Sequence, residues 1–320
     1  MCKKYFSILL SLTAVGCASK HDNTPQPPRG FPNFTIAKIA VAVGLVDLVD
    51  TEPEIPANLL VIRDVVYKTT PEQELKLDIF RQDTLRTVKP LLIFFHGGGW
   101  KKGKKEDYLV YLIDFANRGY ITASISYRLS KIAPFPAAVE DAKCAVRWLR
   151  AHADDYFIDP DKIAVIGCSA GGHLAMMIAY SDESEFAKDC LLDSVGSKVQ
   201  AVVNIYGPYD LTTEYGRNHS LVKSFLKNTY EESPQTYEMA SPKNYLSVLA
   251  PPTLIFHGTI DELVPVSQSD SLYNRLLALG VPSEYHRLNG WPHTMDLAAS
   301  VNAYCQYYIN RFLEKTFFTK

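Results

Sequence analysis

The chain has 320 residues, 47% of them hydrophobic, and its 33 basic and 35 acidic side chains leave a formal charge of −2. That describes an ordinary globular protein with ample length for a large core, and length alone allows about two domains. Charge is balanced along the chain apart from Lys101 to Lys105, a run too short to distinguish from a solvated loop, so no nucleic-acid partner is expected.

Residues 1–17 read as a targeting segment. Met1 to Lys4 is a basic start, Phe6 to Val15 is an apolar run too short to span a bilayer, and Gly16-Cys17 closes it with small residues. Its end, Thr13-Ala-Val-Gly-Cys17, resembles the lipobox of bacterial lipoproteins, with Ala14 where Leu is usual. The resemblance implies lipidation at Cys17 and a membrane contact through that lipid. The alternative is a plain secretory signal cut near Ala18, and either way an extracytoplasmic location is expected. Residues 18–59 are assigned to a tether and an N-terminal arm. Ser19 to Gly30 is polar with Pro25, Pro27 and Pro28, which suits an extended tether. Phe31 to Val49 is apolar but interrupted by Lys38 and Asp47. It is expected to be a packed arm, the alternatives being a helix over the active-site mouth or on a membrane surface.

From residue 60 the pattern becomes regular. Val61 to Tyr67 and Glu74 to Phe80 alternate in part and predict antiparallel leading strands, whereas Leu91 to Phe95 is a continuous apolar run suited to a strand buried on both faces. Further strands are predicted at Ile121 to Tyr127, Ile163 to Ile166, Ala201 to Tyr206, Thr253 to His257 and Ser283 to Leu288. Helices are predicted near Tyr108 to Asn117, Pro136 to Ala151, Gly172 to Tyr180, Val266 to Leu279 and Val301 to Leu313. The expected fold class is therefore α/β, a mainly parallel sheet with helices on both faces over residues 60–320. Residues 210–247 break the rhythm, are rich in Tyr and Ser, and read as a small cap inserted between strands.

The stretch Ile163-Ala-Val-Ile-Gly-Cys-Ser-Ala-Gly-Gly-His173 predicts strand, sharp turn and helix. Such a turn strains its central residue and holds the serine hydroxyl out at the top of a sheet, and a Cβ at either flanking glycine would collide with neighbouring backbone. Ser169 is the candidate nucleophile.

His96-Gly-Gly-Gly-Trp100, Gly167-x-Ser169-x-Gly171, His257-Gly-Thr-Ile-Asp261 and Trp291-Pro-His293 each follow a predicted strand, in the order of the α/β-hydrolase fold. With Ala133-Pro-Phe-Pro-Ala-Ala-Val-Glu-Asp141, Arg147-Trp-Leu149 and Asp159-Pro160, the chain resembles the acetylxylan and feruloyl esterase-type carboxylesterases near the hormone-sensitive-lipase-like group, over roughly residues 60 to 315. The resemblance implies a serine carboxylesterase acting on acetyl or feruloyl groups of plant polysaccharide, or on small acyl esters.

A serine hydroxyl is a weak nucleophile at neutral pH and needs a base within reach and a third group fixing the base's tautomer. His293, in a loop after the last strand, is the candidate base, where the fold delivers its catalytic histidine; His152, His219 and His286 are alternatives. Asp261 is the candidate acid, following a buried strand by a short turn. Its rival is Asp210, which also reads as a turn-capping residue in Gly207-Pro-Tyr-Asp210. Gly98 and Gly99 are the expected oxyanion donors, joined by the N–H of Ala170 at a helix N-terminus. No Lys-Ser/Thr follows the glycines and no ligand spacing for a metal is present, so neither cofactor nor metal is expected.

Cys144, Cys168, Cys190 and Cys305 allow three full pairings in an oxidising compartment. Cys144 and Cys168 lie in predicted buried elements, where a free thiol acting as a small apolar residue is the expectation. Two other readings remain: an aryl-formamidase or exopeptidase-type amide hydrolase, and a non-catalytic binding module of the same fold. The formamidase reading prefers an aromatic where Gly99 stands, and the presence of every catalytic part argues against the binding module.

Overall fold

A computed structural model describes residues 24–188, 190–192 and 194–319; the predicted signal peptide and Cys17 lie outside them. Eight strands form one sheet: β1 (Leu59–Thr69), β2 (Glu74–Gln82), β3 (Lys89–Phe95), β4 (Ile121–Ile125), β5 (Ile158–Cys168), β6 (Ala201–Ile205), β7 (Thr253–Gly258) and β8 (Ser283–Leu288). Their order is β1-β2-β4-β3-β5-β6-β7-β8, with β2 antiparallel to both neighbours and every pair from β4 to β8 parallel. The helices are α1 (Phe34–Ala42), α2 (Leu109–Asn117), α3 (Ala137–Ala151), α4 (Ala153–Tyr156), α5 (Ala170–Tyr180), α6 (Glu214–Asn218), α7 (Ser220–Leu226), α8 (Pro234–Met239), α9 (Ser267–Ala278) and α10 (Ala299–Phe318).

Alternation along the strands decides which helices cover which face. Leu91, Ile93 and Phe95 of β3 join one core with residues of α3, α5 and α9, whereas Leu92 and Phe94 join a second core with α2 and α10. A parallel strand connection demands a crossover, supplied by α2, α3, α5 and α9 and, between β6 and β7, by the segment carrying α6 to α8, so the turns that leave the C-terminal ends of β3, β5, β6 and β7 gather at one edge. The expected α/β architecture is the one observed. Helices α6, α7 and α8 fall between β6 and β7, in the segment read as an insertion.

Three details differ from the sequence reading. Strand β5 begins at Ile158, five residues earlier than its apolar run, because Asp159 to Lys162 is polar and carries no periodic signal; Ile158 nonetheless pairs with Lys89. The stretch read as a packed arm begins as a helix. Asn33 caps α1 by accepting the Ile36 N–H at 3.0 Å, and only Ala37 and Ala40 are buried, leaving Ile36, Ile39 and Val43 exposed. Packing resumes after it, where the Val49 N–H donates to Leu297 O at 2.9 Å and the Ala299 N–H to Asp47 O at 2.8 Å.

The third difference is Cys144, which is not a free thiol. It is bridged to Cys190, 46 positions further along the sequence, with Cα atoms 5.6 Å apart, while Cys168 and Cys305 are free and buried. The bridge fastens the irregular segment after α5 to the outer helix α3. Periodicity placed Cys144 on a buried face but carried no information about the loop that packs there. A closed loop of this length removes unfolded-state entropy, so the double variant Cys144→Ala/Cys190→Ala should lose about 2–4 kcal/mol of stability in urea unfolding. Reductant should destabilise the wild type similarly and leave the variant unchanged.

Candidate active site

Strand β5 ends at Cys168 and α5 begins at Ala170, so Ser169 alone makes the turn, with φ 54° and ψ −122°. Its N–H donates to Ile205 O at 2.9 Å and its carbonyl accepts the His173 N–H at 3.0 Å, which fix the strained residue from both sides. Cβ atoms added at Gly167 or Gly171 would run into backbone, of Gly171 and of Phe95 respectively. Only glycine fits at either place, and the turn therefore lies directly against the end of β3.

Ser169 Oγ lies 3.0 Å from His293 Nε2, and His293 Nδ1 lies 2.6 Å from Asp261 Oδ2. The Asp261 carboxylate accepts four groups in all. Oδ1 takes the N–H groups of Leu263 and Val264 at 2.9 and 2.8 Å, and Oδ2 also faces His257 Nε2 at 3.3 Å. His257 is buried, with Nδ1 2.7 Å from Ser269 Oγ and Nε2 2.9 Å from Val264 O, so Nε2 carries a hydrogen that the Val264 carbonyl and Asp261 share. Burial acts to raise the Asp261 pKa, but hydrogen bonds from His257 and His293 outweigh it and hold the carboxyl at about 2.

The other candidates are elsewhere. Asp210 accepts from the Thr212 N–H at 2.8 Å and pairs with Lys243 at 3.0 Å, so it closes a turn at the base of the cap. His152 stacks on Trp148, with Nδ1 2.8 Å from the Trp148 carbonyl, and His286 in β8 contacts the Tyr304 hydroxyl at 2.8 Å. His219 does line the cavity above Ser169, but its Nδ1 accepts the Leu221 N–H at 3.2 Å as the N-cap of α7.

Gly98 and Gly99 have φ of 96° and 61°, backbone that L side chains rarely adopt. Together with Ala170 they line the cavity beside Ser169, and none of these three N–H groups is spent on a backbone carbonyl among the described residues. The cavity measures about 410 Å³, and its apolar wall includes Trp100, Tyr108, Tyr206, Tyr215 and Leu221. A Cβ at Gly99 would stand 2.7 Å from Leu221 of the cap. Trp100 stacks on Phe225 of α7 at 4.4 Å and donates its indole N–H to His173 Nδ1 at 3.2 Å, while His173 Nε2 meets Ala240 O at 2.7 Å. Burial lowers the His173 pKa to about 4, so the ring is neutral and serves as a pin between glycine loop, elbow helix and cap.

Two contributors were not legible in sequence. Asp296, three residues past His293, is buried and accepts from the Tyr206 hydroxyl, with Tyr111 Oη at 3.4 Å and Cys168 Sγ at 3.6 Å. Burial pushes its pKa up. Tyr206 also packs its ring 4.6 Å from that of His293. A lone Asp between Met295 and Leu297, within an apolar loop, is the only signal the sequence offered.

The BD-FAE family profile matches residues 77–276. The chain is 34% identical over 244 residues to Esterase LipC of Mycobacterium tuberculosis, a match covering 73% of this chain and 60% of that protein. Thus it spans about three fifths of the length of that curated relative. The esterase Est2 of Thermogutta terrifontis superimposes with a TM-score of 0.71 at 25% identity, covering 84% of this chain and 96% of that one. A truncated carbohydrate esterase from gut microbiota gives 0.72 at 24% identity, covering 80% and 96%, a likeness of fold. With more than half its length matched by the profile and the sheet order and elbow described above, the chain belongs to the BD-FAE family of the α/β-hydrolase fold.

Proposed function

We propose that this protein is a serine carboxylesterase in which Ser169 is the nucleophile, His293 the base and Asp261 the orienting acid. The observation that carries the reading is the continuous hydrogen-bonded line from Ser169 Oγ to His293 at 3.0 Å and on to Asp261 at 2.6 Å, opening into the 410 Å³ cavity. His293 Nδ1–H donates to an ionised carboxylate, which leaves Nε2 unprotonated and able to take the serine proton. Ser169 Oγ then bonds to the ester carbonyl carbon, and the oxygen that becomes an anion is met by the N–H groups of Gly98, Gly99 and Ala170. His293 returns the proton to the departing alcohol, leaving an acyl-enzyme. Water repeats the sequence and releases the acid.

Family membership and the aromatic wall support acyl esters as substrates, with acetyl or feruloyl groups on plant polysaccharide and small acyl esters as the proposed range. Gly99 stands where the formamidase alternative prefers an aromatic residue, which argues against that alternative.

Ser169→Ala should lower hydrolysis of p-nitrophenyl acetate at least about a thousandfold while leaving the circular dichroism spectrum unchanged. Retention of activity within about tenfold would reject the assignment. Asp261→Asn should cost roughly ten-thousandfold in kcat, because an amide holds the imidazole in the wrong tautomer and cannot stabilise the imidazolium. Asp210→Asn, which touches only the base of the cap, should change kcat less than about threefold. The opposite pattern in steady-state kinetics would move the acid to the earlier strand.

A further inference from the structure

The lysine run that carried no meaning in sequence divides in two in the structure. Lys105 is buried and fully used, with Nζ 2.7 Å from both Asp78 and Glu106 and 3.3 Å from Asp64. Lys101 and Lys102 instead line the cavity that contains Ser169 and His293. Both are exposed and have no ion-pair partner among the described residues, while the hydrogen bonds of their N–H groups to Gly98 O, at 3.2 and 3.1 Å, hold them beside the oxyanion glycines. The same cavity wall holds no Asp or Glu: Asp261 lies beneath His293, and Asp107 and Asp296 line the neighbouring cavity beyond Tyr108. His219 adds a polar edge. Its Nδ1 accepts the Leu221 N–H, so the hydrogen of the neutral ring sits on Nε2.

Two cations without ion-pair partners among the described residues border a largely apolar cleft whose wall holds no carboxylate; the ionised Asp261 lies behind His293, so the charge an entering substrate meets along the wall is positive. We infer that the preferred substrate is an anionic ester, one bearing a second, ionised carboxyl group on its acid or alcohol portion that pairs with Lys101 and Lys102 while the ester carbonyl sits at Ser169. This rests on the esterase reading and narrows its substrate class.

The test compares two matched pairs of esters. In 4-acetoxybenzoate and 4-acetoxybenzamide the charge sits on the alcohol side; in monomethyl terephthalate and methyl 4-carbamoylbenzoate it sits on the acyl side. Rates are normalised to alkaline hydrolysis. In at least one pair kcat/KM should favour the carboxylate about tenfold or more at low salt. That ratio should collapse in Lys101→Glu/Lys102→Glu and at about 1 M salt, and survive in Lys101→Arg/Lys102→Arg. General damage to the glycine loop would lower both members of a pair alike and leave the ratio intact. If charge reversal prevents folding, Lys101→Gln/Lys102→Gln is used in its place. No preference in either pair, or a preference that survives removal of the charges, overturns the inference. Should the protein hydrolyse none of the four, p-nitrophenyl acetate decides whether the esterase reading has failed. Calorimetric binding of 4-hydroxybenzoate against 4-hydroxybenzamide then decides separately: binding that needs the carboxylate and the lysines upholds the anionic site, and equal binding rejects it.

Discussion

The arrangement depends on a steric constraint at the end of β5. Gly171 lies so close to the Phe95 carbonyl that no side chain fits between them. The elbow and the end of β3 are therefore one packing unit, and the glycine loop that follows β3 starts beside the serine. Ser169 is held at positive φ by backbone bonds to Ile205 and His173, and its hydroxyl meets His293 Nε2 at 3.0 Å. Strain at one residue is tolerated because the two adjoining cores fix both flanks.

Around that unit the remaining parts are attached by buried polar groups. His173 joins Trp100, α5 and the cap through its two ring nitrogens, and Trp100 extends the connection by stacking on Phe225. The cap is thereby tied to the glycine loop, and Leu221 meets Gly99 beside Ser169. His257 does the equivalent on the acid side. It shares Asp261 with His293, so the carboxylate is fixed by two rings and two backbone N–H groups. Asp296 and Tyr206 form a third tie, behind His293 and below Cys168.

All eight strands were legible in sequence because each has either an apolar run or partial alternation, and the helices of the sheet's two faces from amphipathic pattern or, for α5, from a continuous apolar stretch after the elbow. The polar start of β5 was not, since its pairing is set by the neighbouring β3 and by no property of Asp159 to Lys162. Helix α1 is weakly marked in the sequence because its inward face is alanine, and its larger apolar residues, normally the core signal, face outward. The candidate site could be read from strand-end motifs, which is why Ser169, His293 and Asp261 come together, and Asp210 read as a turn cap. What the sequence withheld were the relations that no motif marks: the partner of Cys144, the burial of Asp296, the pin made by His173, and the division of Lys101 to Lys105 into a buried ion cluster and a cationic rim. These depend on which surfaces meet, and local pattern carries no record of that.

The central claim is that one hydroxyl, at the elbow, does the chemistry. A fluorophosphonate that phosphonylates activated serines tests it directly, with mass spectrometry of the tryptic peptide from Ile163 to Lys188. The account predicts one adduct per chain, on Ser169, with ester hydrolysis lost in proportion to labelling. Hydrolysis that persists in a fully labelled protein, or a stoichiometric adduct on any other residue, would contradict it.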